Sequence, residues 1–141
     1  MSLLLDTNVV SELRKNPRTI DIAVASWAEQ EDLDEMWLSV VTILEIELGV
    51  LSKERSDSTQ GKLLRQWFES AVLKGFEGRI LALDLGVTRV AAQLHQGRTR
   101  PDRDVQIAAT ALAHGFTLVT RNVRDFEGLP VPILNPWGAS Q

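Results

Sequence analysis

The chain has 141 residues, the size of one domain, and its 44% hydrophobic and 24% charged residues are typical of a globular protein. The lack of cysteine excludes disulfide scaffolds, thiolate zinc sites and cysteine nucleophiles, and a net charge of −4 means that any nucleic-acid binding depends on a local site. No apolar run approaches the roughly 20 residues of a membrane span, and Met1–Asp6 is too short for a signal peptide; these features predict a soluble, cytoplasmic protein with no membrane partner.

In chain order, short apolar runs alternate with segments of helical periodicity. The apolar runs predict strands at residues 2–5, 36–41, 80–83, 116–120 and 131–134. The periodic segments predict helices at residues 9–14, 20–31, 42–53, 59–74, 87–96 and 103–114. Continuous apolar strands alternating with helices favour a parallel sheet that is covered on both faces. We therefore predict a single α/β domain over residues 1–141.

Capping residues mark the starts of several predicted helices. Thr19 and Asp84 each precede a helix as polar N-cap candidates. Thr42 and Glu45 form an S/T-x-x-E capping box, which predicts that the third helix begins at Thr42. Asp102 is the expected cap of the helix that follows a basic loop.

Acidic and amide side chains follow the predicted strands or begin the next helix. They are Asp6, Glu45, Asp104, Asn122 and Asp125. Because parallel sheets bind ligands beyond the carboxyl ends of their strands, we expect these groups to converge on one edge. Converging carboxylates raise one another's pKa, and a divalent cation such as Mg²⁺ or Mn²⁺ relieves the repulsion. Such a metal can activate water for phosphodiester hydrolysis.

Each acid also has a purely structural interpretation. Asp6 can cap the first helix, Glu45 can serve only the capping box, and Asp104 can simply complement a helix dipole. The metal-site hypothesis therefore depends on the whole set rather than on any one member.

Four sequence blocks resemble the signature blocks of PIN-domain ribonucleases, in the same order. They are residues 4–8 (LLDTN), 39–45 (SVVTILE), 104–111 (DVQIAATA) and 118–122 (LVTRN), and residues 135–137 (NPW) resemble the tail of the FitB/VapC branch. The resemblance implies a three-layer α/β/α sandwich with a mainly parallel central sheet. It also implies a Mg²⁺- or Mn²⁺-dependent RNA endonuclease that acts as a toxin, with transfer RNA a favoured substrate in this branch.

The resemblance places the metal-binding acids of the family on Asp6, Glu45 and Asp104. The family often has a fourth aspartate where this chain has Asn122, and members with asparagine there commonly carry an aspartate three residues later, as Asp125 does here. Whether Asn122 or Asp125 fills the fourth position, and whether one or two metals bind, stays open at this point.

Substrate contacts are expected from polar and basic residues around the acids. Five arginines flank the predicted site and can bind RNA phosphates: Arg98, Arg100, Arg103, Arg121 and Arg124. For Arg98 and Arg100 a solvated surface role is nearly as well supported. The strongest candidates for substrate binding are Asn8, Thr42, Arg100, Thr120 and Arg121.

Two other classes of protein deserve comparison. Phospho-acceptor domains also place an aspartate beside Mg²⁺ at a strand end, but they require a late lysine, and the last lysine here is Lys74. The haloacid-dehalogenase pattern also requires an aspartate where this chain has Asn8. The second alternative is a catalytically weak PIN-like domain that only binds RNA or protein; the retention of Asp6, Glu45 and Asp104 favours catalysis over it.

The resemblance also implies partners. These are a small VapB-like antitoxin encoded alongside, a second copy of the chain in a homodimer, and operator DNA reached only through the antitoxin. We expect a basic antitoxin tail to place an arginine among the acids. The helical surface around Trp67 and Phe68 is a candidate docking site for this tail, with core packing as the alternative.

Overall fold

A sheet of five parallel strands forms the centre of the protein, in a computed structural model that describes residues 1–97 and 99–138. The strands are β1 (Leu3–Leu5), β2 (Met36–Ser39), β3 (Ile80–Leu81), β4 (Thr117–Val119) and β5 (Ile133–Leu134). Their order across the sheet is β3-β2-β1-β4-β5, and every pair is parallel. In the central strand β1, Leu4 pairs with Trp37 on one side and with Leu118 on the other. The predicted parallel sheet is confirmed.

The described part of the chain contains six α-helices, which lie between the strands. They are α1 (Thr7–Leu13), α2 (Ile22–Gln30), α3 (Val40–Ser56), α4 (Ser58–Trp67), α5 (Leu85–His95) and α6 (Asp102–His114). Short 3₁₀ turns cover Leu33–Glu35 and Val123–Phe126, and a π-helical segment, Phe68–Lys74, continues α4. Within residues 1–97 and 99–138, no helix is both long and apolar enough to cross a membrane.

Alternation along β1 divides the interior into two hydrophobic cores. Leu3 and Leu5 point to one face of the sheet and Leu4 to the other, and all three are fully buried. Helices α1 to α4 close the first core, while α5 and α6 close the second together with Phe126. The result is the predicted three-layer α/β/α sandwich.

The start of α3 differs from the prediction. The strand β2 ends at Ser39, whose Oγ accepts a hydrogen bond from the Val41 N–H at 3.0 Å and so caps the helix. Thr42 consequently lies inside the first turn and is fully buried, and the predicted capping box of Thr42 and Glu45 is wrong. Glu45 is therefore free of that structural role.

Two further predicted caps are also wrong. Asp21, not Thr19, caps α2, with its Oδ1 accepting from the Val24 N–H at 3.1 Å. Pro101 occupies the N-cap position of α6, so Asp102 is the first helical residue and not the cap. The Asp102 Oδ1 lies 3.2 Å from Nε2 of His95 instead. The cap predicted at Asp84 is confirmed by its bond from the Val87 N–H.

The segment predicted as one helix over residues 59–74 changes its winding after Trp67. Phe68 opens the π-helical segment and is fully buried in the first core, whereas Trp67 is only partly buried. The predicted docking surface around Trp67 and Phe68 therefore loses Phe68, because a fully buried ring cannot contact a partner.

Candidate active site

The carboxylate of Asp6 lies where the central strand meets α1. Its Oδ1 accepts the Thr7 N–H at 2.8 Å, and its Oδ2 accepts hydrogen bonds from Thr120 Oγ1 at 2.8 Å and Asn8 Nδ2 at 3.2 Å. The residue is only 6% exposed. Burial raises the pKa of Asp6, these hydrogen bonds oppose the rise, and the nearby charge of Glu45 adds to it. Asp6 is thus both a helix cap and a buried acid.

Asn8 and Thr120 join the ends of β1 and β4 around Asp6. Besides its contact with Asp6, Asn8 accepts the Arg121 N–H through Oδ1 at 3.2 Å. The hydroxyl of Thr120 accepts the Asn122 N–H at 3.0 Å while it donates to Asp6. Both residues therefore fix the orientation of the Asp6 carboxylate. Thr120 is fully buried, as is Thr42, so neither side chain can contact substrate as predicted. For the partly buried Asn8 a substrate contact stays a prediction.

Glu45 enters the site from the second turn of α3. Thr7 Oγ1 donates to its Oε1 at 2.6 Å, and the same hydroxyl lies 3.3 Å from Oγ1 of the buried Thr42. The other oxygen, Oε2, is 3.8 Å from Nη1 of Arg103. Sequence reasoning overlooked Thr7, although its position directly after Asp6 at the end of an apolar run was a usable signal.

Asp104 lies in the first turn of α6, close enough to three other acids to be affected by their negative charges. Its pKa is raised from 3.8 to about 6, first by burial, then by the charges of Asp125, Asp6 and Glu45, with Arg100 opposing the rise. Four carboxylates are therefore close enough to influence one another's ionisation. Their convergence on the carboxyl edge of the sheet agrees with the expectation from topology.

The segment after β4 brings Asp125, rather than Asn122, toward Asp104. Asp125 and Asp104 line a common open pocket, to which Arg124 also contributes. Asn122 is exposed one turn earlier, and its carbonyl accepts the Asp125 N–H at 3.0 Å. This arrangement favours Asp125 as the fourth acid, although the assignment stays a prediction.

Arg100 anchors this segment from the opposite loop. Its guanidinium donates to the backbone carbonyls of Asp125 and Glu127. Part of its donor capacity is thus used to hold Asp125 near Asp104, a role that the sequence did not predict. Arg121 is exposed and its guanidinium lies 5.4 Å from the ring centre of Trp137. Arg98 lies outside the described residues.

The donor chemistry of the cluster suits a hard divalent cation. Mg²⁺ takes oxygen ligands and keeps several of its waters, so a few spaced carboxylates satisfy it without a closed cage. Among residues 1–97 and 99–138, no three acidic, histidine or cysteine side chains form a ready-made cage. The carboxylates that raise the pKa of Asp104 instead leave negative charge that Arg100 offsets only in part, and a hydrated cation would neutralise the remainder.

Comparison with known proteins identifies the family. The profile of the PIN domain matches residues 3–130. The chain belongs to the PIN-domain family. The "VapC ribonuclease Y4jK" of Sinorhizobium fredii is 34% identical over 140 residues, covering 96% of this chain and 97% of the relative. "Toxin FitB" of Neisseria gonorrhoeae is 35% identical over 141 residues, covering 96% and 98%.

A solved PIN-domain complex confirms the architecture. The chain superposes on the structure of FitAB bound to an IR36 DNA fragment with a TM-score of 0.86. Sequence identity to that structure is 33%, and the match covers 96% of each chain. The predicted PIN-like sandwich and the predicted relationship to the FitB/VapC branch are thus both confirmed.

Proposed function

We propose that this PIN domain is a divalent-metal-dependent endoribonuclease and the toxin of a toxin–antitoxin pair in the cytoplasm. The observation that carries the proposal is the convergence of Asp125, Asp6 and Glu45 on Asp104, whose pKa is raised to about 6 by burial first and then by these three charges. A set of acids arranged at an energetic cost is typical of a functional site. The names of the VapC and FitB relatives support RNA hydrolysis and a toxin role.

Asp6, Glu45 and Asp104 would hold Mg²⁺ or Mn²⁺, and Asp125 would contribute directly or through a water. When bound, the ion supplies Lewis acidity and charge neutralisation for the attack of water on a phosphodiester. Thr7 and Thr120 fix the carboxylates of Glu45 and Asp6 through their hydroxyl donors, so the ligands are oriented before the cation arrives.

RNA phosphates would approach over the arginines beside the acids. Arg103, Arg121 and Arg124 are exposed, and Arg103 reaches to within 3.8 Å of Glu45. Guanidinium groups bind phosphate oxygens in a forked geometry and offset the repulsion between an acidic site and a polyanion. A protein of net charge −4 therefore retains a local path for RNA.

The proposed regulatory partner is a small antitoxin with a basic tail. FitAB in the matched structure is bound to DNA, and we propose that this chain reaches operator DNA only through its own antitoxin. An arginine of the tail would pair with the carboxylates at the metal position and keep the enzyme inactive.

A homodimer is also proposed, and an exposed apolar stripe on α3 supports it. Leu44, Leu48 and Leu51 follow one another at helical spacing and are 49%, 44% and 46% exposed. A stripe of this kind is typical of a protein–protein contact. Light scattering of Leu48→Glu against the wild type would detect the loss of the dimer.

Cleavage of RNA in Mn²⁺ and in EDTA tests the proposed activity. Brief expression followed by sequencing of new RNA 5′ ends would identify the substrate, with transfer RNA as the first candidate. We expect cleavage at defined positions that stops in EDTA. RNA binding without any cleavage over a full Mn²⁺ titration would favour the alternative, a PIN-like binding module.

A further inference from the structure

A surface groove runs away from the acidic cluster between α1, α3 and α4. Its lining includes Thr7 and Glu45, which belong to the site, and Trp67. Arg14 and Gly49 line the same groove. The groove is thus continuous with the proposed catalytic centre, although none of Arg14, Gly49 and Trp67 is needed to hold a metal.

We propose, on the basis of the nuclease function above, that this groove binds one nucleotide of single-stranded RNA next to the cleaved bond. The base would stack on the indole of Trp67 and the phosphate would pair with Arg14. This subsite would set the length and position of the RNA segment that the enzyme accepts.

The chemistry of the groove fits a nucleotide better than a purely apolar ligand. The Trp67 side chain is partly exposed, and aromatic rings bind single-stranded nucleic acid by stacking because every base has a π face. Arg14 is exposed, and its guanidinium lies 5.7 Å from the Trp67 ring centre. Among the described residues it forms no ion pair, so its charge is available to a phosphate.

The floor of the groove is kept open by a glycine in the middle of α3. A Cβ added at Gly49 would meet no other heavy atom within 4 Å. Glycine weakens a helix interior, and neither close packing nor a positive φ requires it here. Trp67 in turn is the last residue of α4, directly before the π-helical segment, and π-helical turns are frequent at functional sites.

Filling the groove with Gly49→Leu tests the proposal without touching the acids. The matched control is Gly86→Leu, which makes the same change at another exposed helical glycine that does not line the groove. Both variants should melt no lower than the wild type, since glycine is the poorer helix former. The probe is a fluorescent ten-nucleotide single-stranded RNA in Ca²⁺, with binding measured by anisotropy.

We expect Gly49→Leu to weaken RNA binding by about 5- to 150-fold, the range expected for the loss of one base–aromatic stack. Gly86→Leu should bind like the wild type. Equal binding by wild type and Gly49→Leu would overturn the proposal. If Gly49→Leu instead retained RNA binding and lost only inhibition by the antitoxin, the groove would be a protein-binding site and the nucleotide assignment would be wrong.

A second pair of variants separates stacking from packing. Trp67→Phe keeps an aromatic face and should bind RNA within about threefold of the wild type, whereas Trp67→Leu should lose binding as Gly49→Leu does. Equal binding by both variants would contradict the stacking role. Because these measurements record binding, an absence of cleavage in Mn²⁺ would count against the nuclease function and not against this subsite.

Discussion

Two clusters of carboxylates in this protein have opposite electrostatics. Around Arg65, Nη1 lies 2.7 Å from Glu47 Oε2 and 3.3 Å from Glu69 Oε2, and Nη2 lies 3.0 Å from Glu54 Oε1. The hydrogen bond from Arg65 lowers the pKa of Glu54. The hydrogen bonds that Arg65 makes to Glu54 and Glu47 raise the pKa of Arg65. Here a cation of the chain lies at the centre of the acids, so the cluster needs no ligand.

At the carboxyl edge of the sheet, no cation of the described residues pairs with several acids at once as Arg65 does. Burial and the neighbouring charges raise the pKa of Asp104 to about 6, and burial raises the pKa of Asp6. The guanidinium of Arg103 is 3.8 Å from Glu45 and is half exposed. The comparison indicates that one cluster stabilises the α3–α4 pair of helices without a ligand, whereas the other keeps the unbalanced charge that the proposed external cation would neutralise.

The four acids at the carboxyl edge of the sheet are called the edge cluster here: Asp6, Glu45, Asp104 and Asp125. The largest expected effect is the loss of activity when one of these carboxylates is removed. Asp104→Asn and Asp6→Asn should each lower RNA cleavage at least about 100-fold, because metal ligands act as a unit. Asp104→Asn should at the same time raise the melting temperature, because it removes a charge that burial and like charges disfavour. A cleavage assay and a thermal melt on the same preparations check both.

Asp102→Asn is the control for this pair of measurements. Asp102 lies two residues before Asp104 on the same helix, and its side chain is 84% exposed. It should leave both activity and melting temperature close to those of the wild type. Asp6→Asn or Asp104→Asn with the toxicity of the wild type at matched expression would show that the metal-site assignment is wrong.

The second prediction concerns the fourth acid. Asp125→Asn should weaken Mn²⁺ affinity by about 10- to 100-fold, the range for groups that support metal ligands, and more than Asn122→Ala does. The reason is that the charge of Asp125 reaches Asp104, whereas Asn122 is exposed one turn earlier. Calorimetric titration with Mn²⁺ measures both constants, and the reverse order would limit Asp125 to a local structural role.

The third prediction uses pH to distinguish the two clusters. The folded pKa of Asp104 is about 6 against an ordinary 3.8, so between these values the folded state binds more protons than the unfolded state. The free energy of unfolding contributed by Asp104 should therefore fall as pH rises from about 4 to about 6. The contribution of Glu54 has the opposite sign: it is present above its ordinary value of 4.5 and is lost as pH falls through its lowered folded pKa.

Added Mn²⁺ should restore the free energy of unfolding that the edge cluster loses as pH rises. At a concentration 100 times its dissociation constant, an ion that binds only the folded state adds about 2.7 kcal/mol to the free energy of unfolding. We expect melting temperature to rise with Mn²⁺ at pH 7.5 and to rise far less at pH 4.5, where Asp104 is protonated. An equal rise at both values would show that the ion binds elsewhere.

The sequence predicted the sheet because its strands are short, continuously apolar and separated by helical segments. Leu3, Leu4 and Leu5 are all buried between two layers, which is the pattern of a parallel strand. The sequence alone could not locate the start of α3, because Ser39 and Thr42 are both good N-cap residues. Only the length of β2, set by its pairing with β3 at Leu38 and Ser39, decides between them.

The candidate site was predictable in its acids but not in the contacts that hold them. The ends of the strands and the family blocks predict Asp6, Glu45 and Asp104. In the fold the charges of Asp6 and Glu45 add to the burial that raises the pKa of Asp104, so the three acids do converge. The contact of Arg103 with Glu45 and the clamp of Arg100 on the Asp125 and Glu127 carbonyls join elements far apart in the chain. No local pattern marks such pairings. The π-helical turn after Trp67 likewise has no signal in helical periodicity.

The smallest effect on activity is expected in the cluster around Arg65, where the arginine already balances the charge of the glutamates. Arg65→Ala leaves Glu47, Glu54 and Glu69 without their shared cation and removes a guanidinium that lies 5.8 Å from the Phe68 ring centre. The melting temperature should fall by a few degrees at low salt, and high salt should reduce the difference because it screens exposed charges. RNA cleavage per folded molecule should stay within about twofold of the wild type.

Arg65→Lys is the matched variant for this last experiment. Lysine retains the charge but not the forked donors that reach two glutamates at once, so its melting temperature should lie between those of Arg65→Ala and the wild type. The pair would place the function of this cluster in stability alone. If Arg65→Ala lost cleavage in proportion to Asp104→Asn while remaining folded, the two clusters would be coupled, and the α3–α4 helices would transmit that coupling to Glu45.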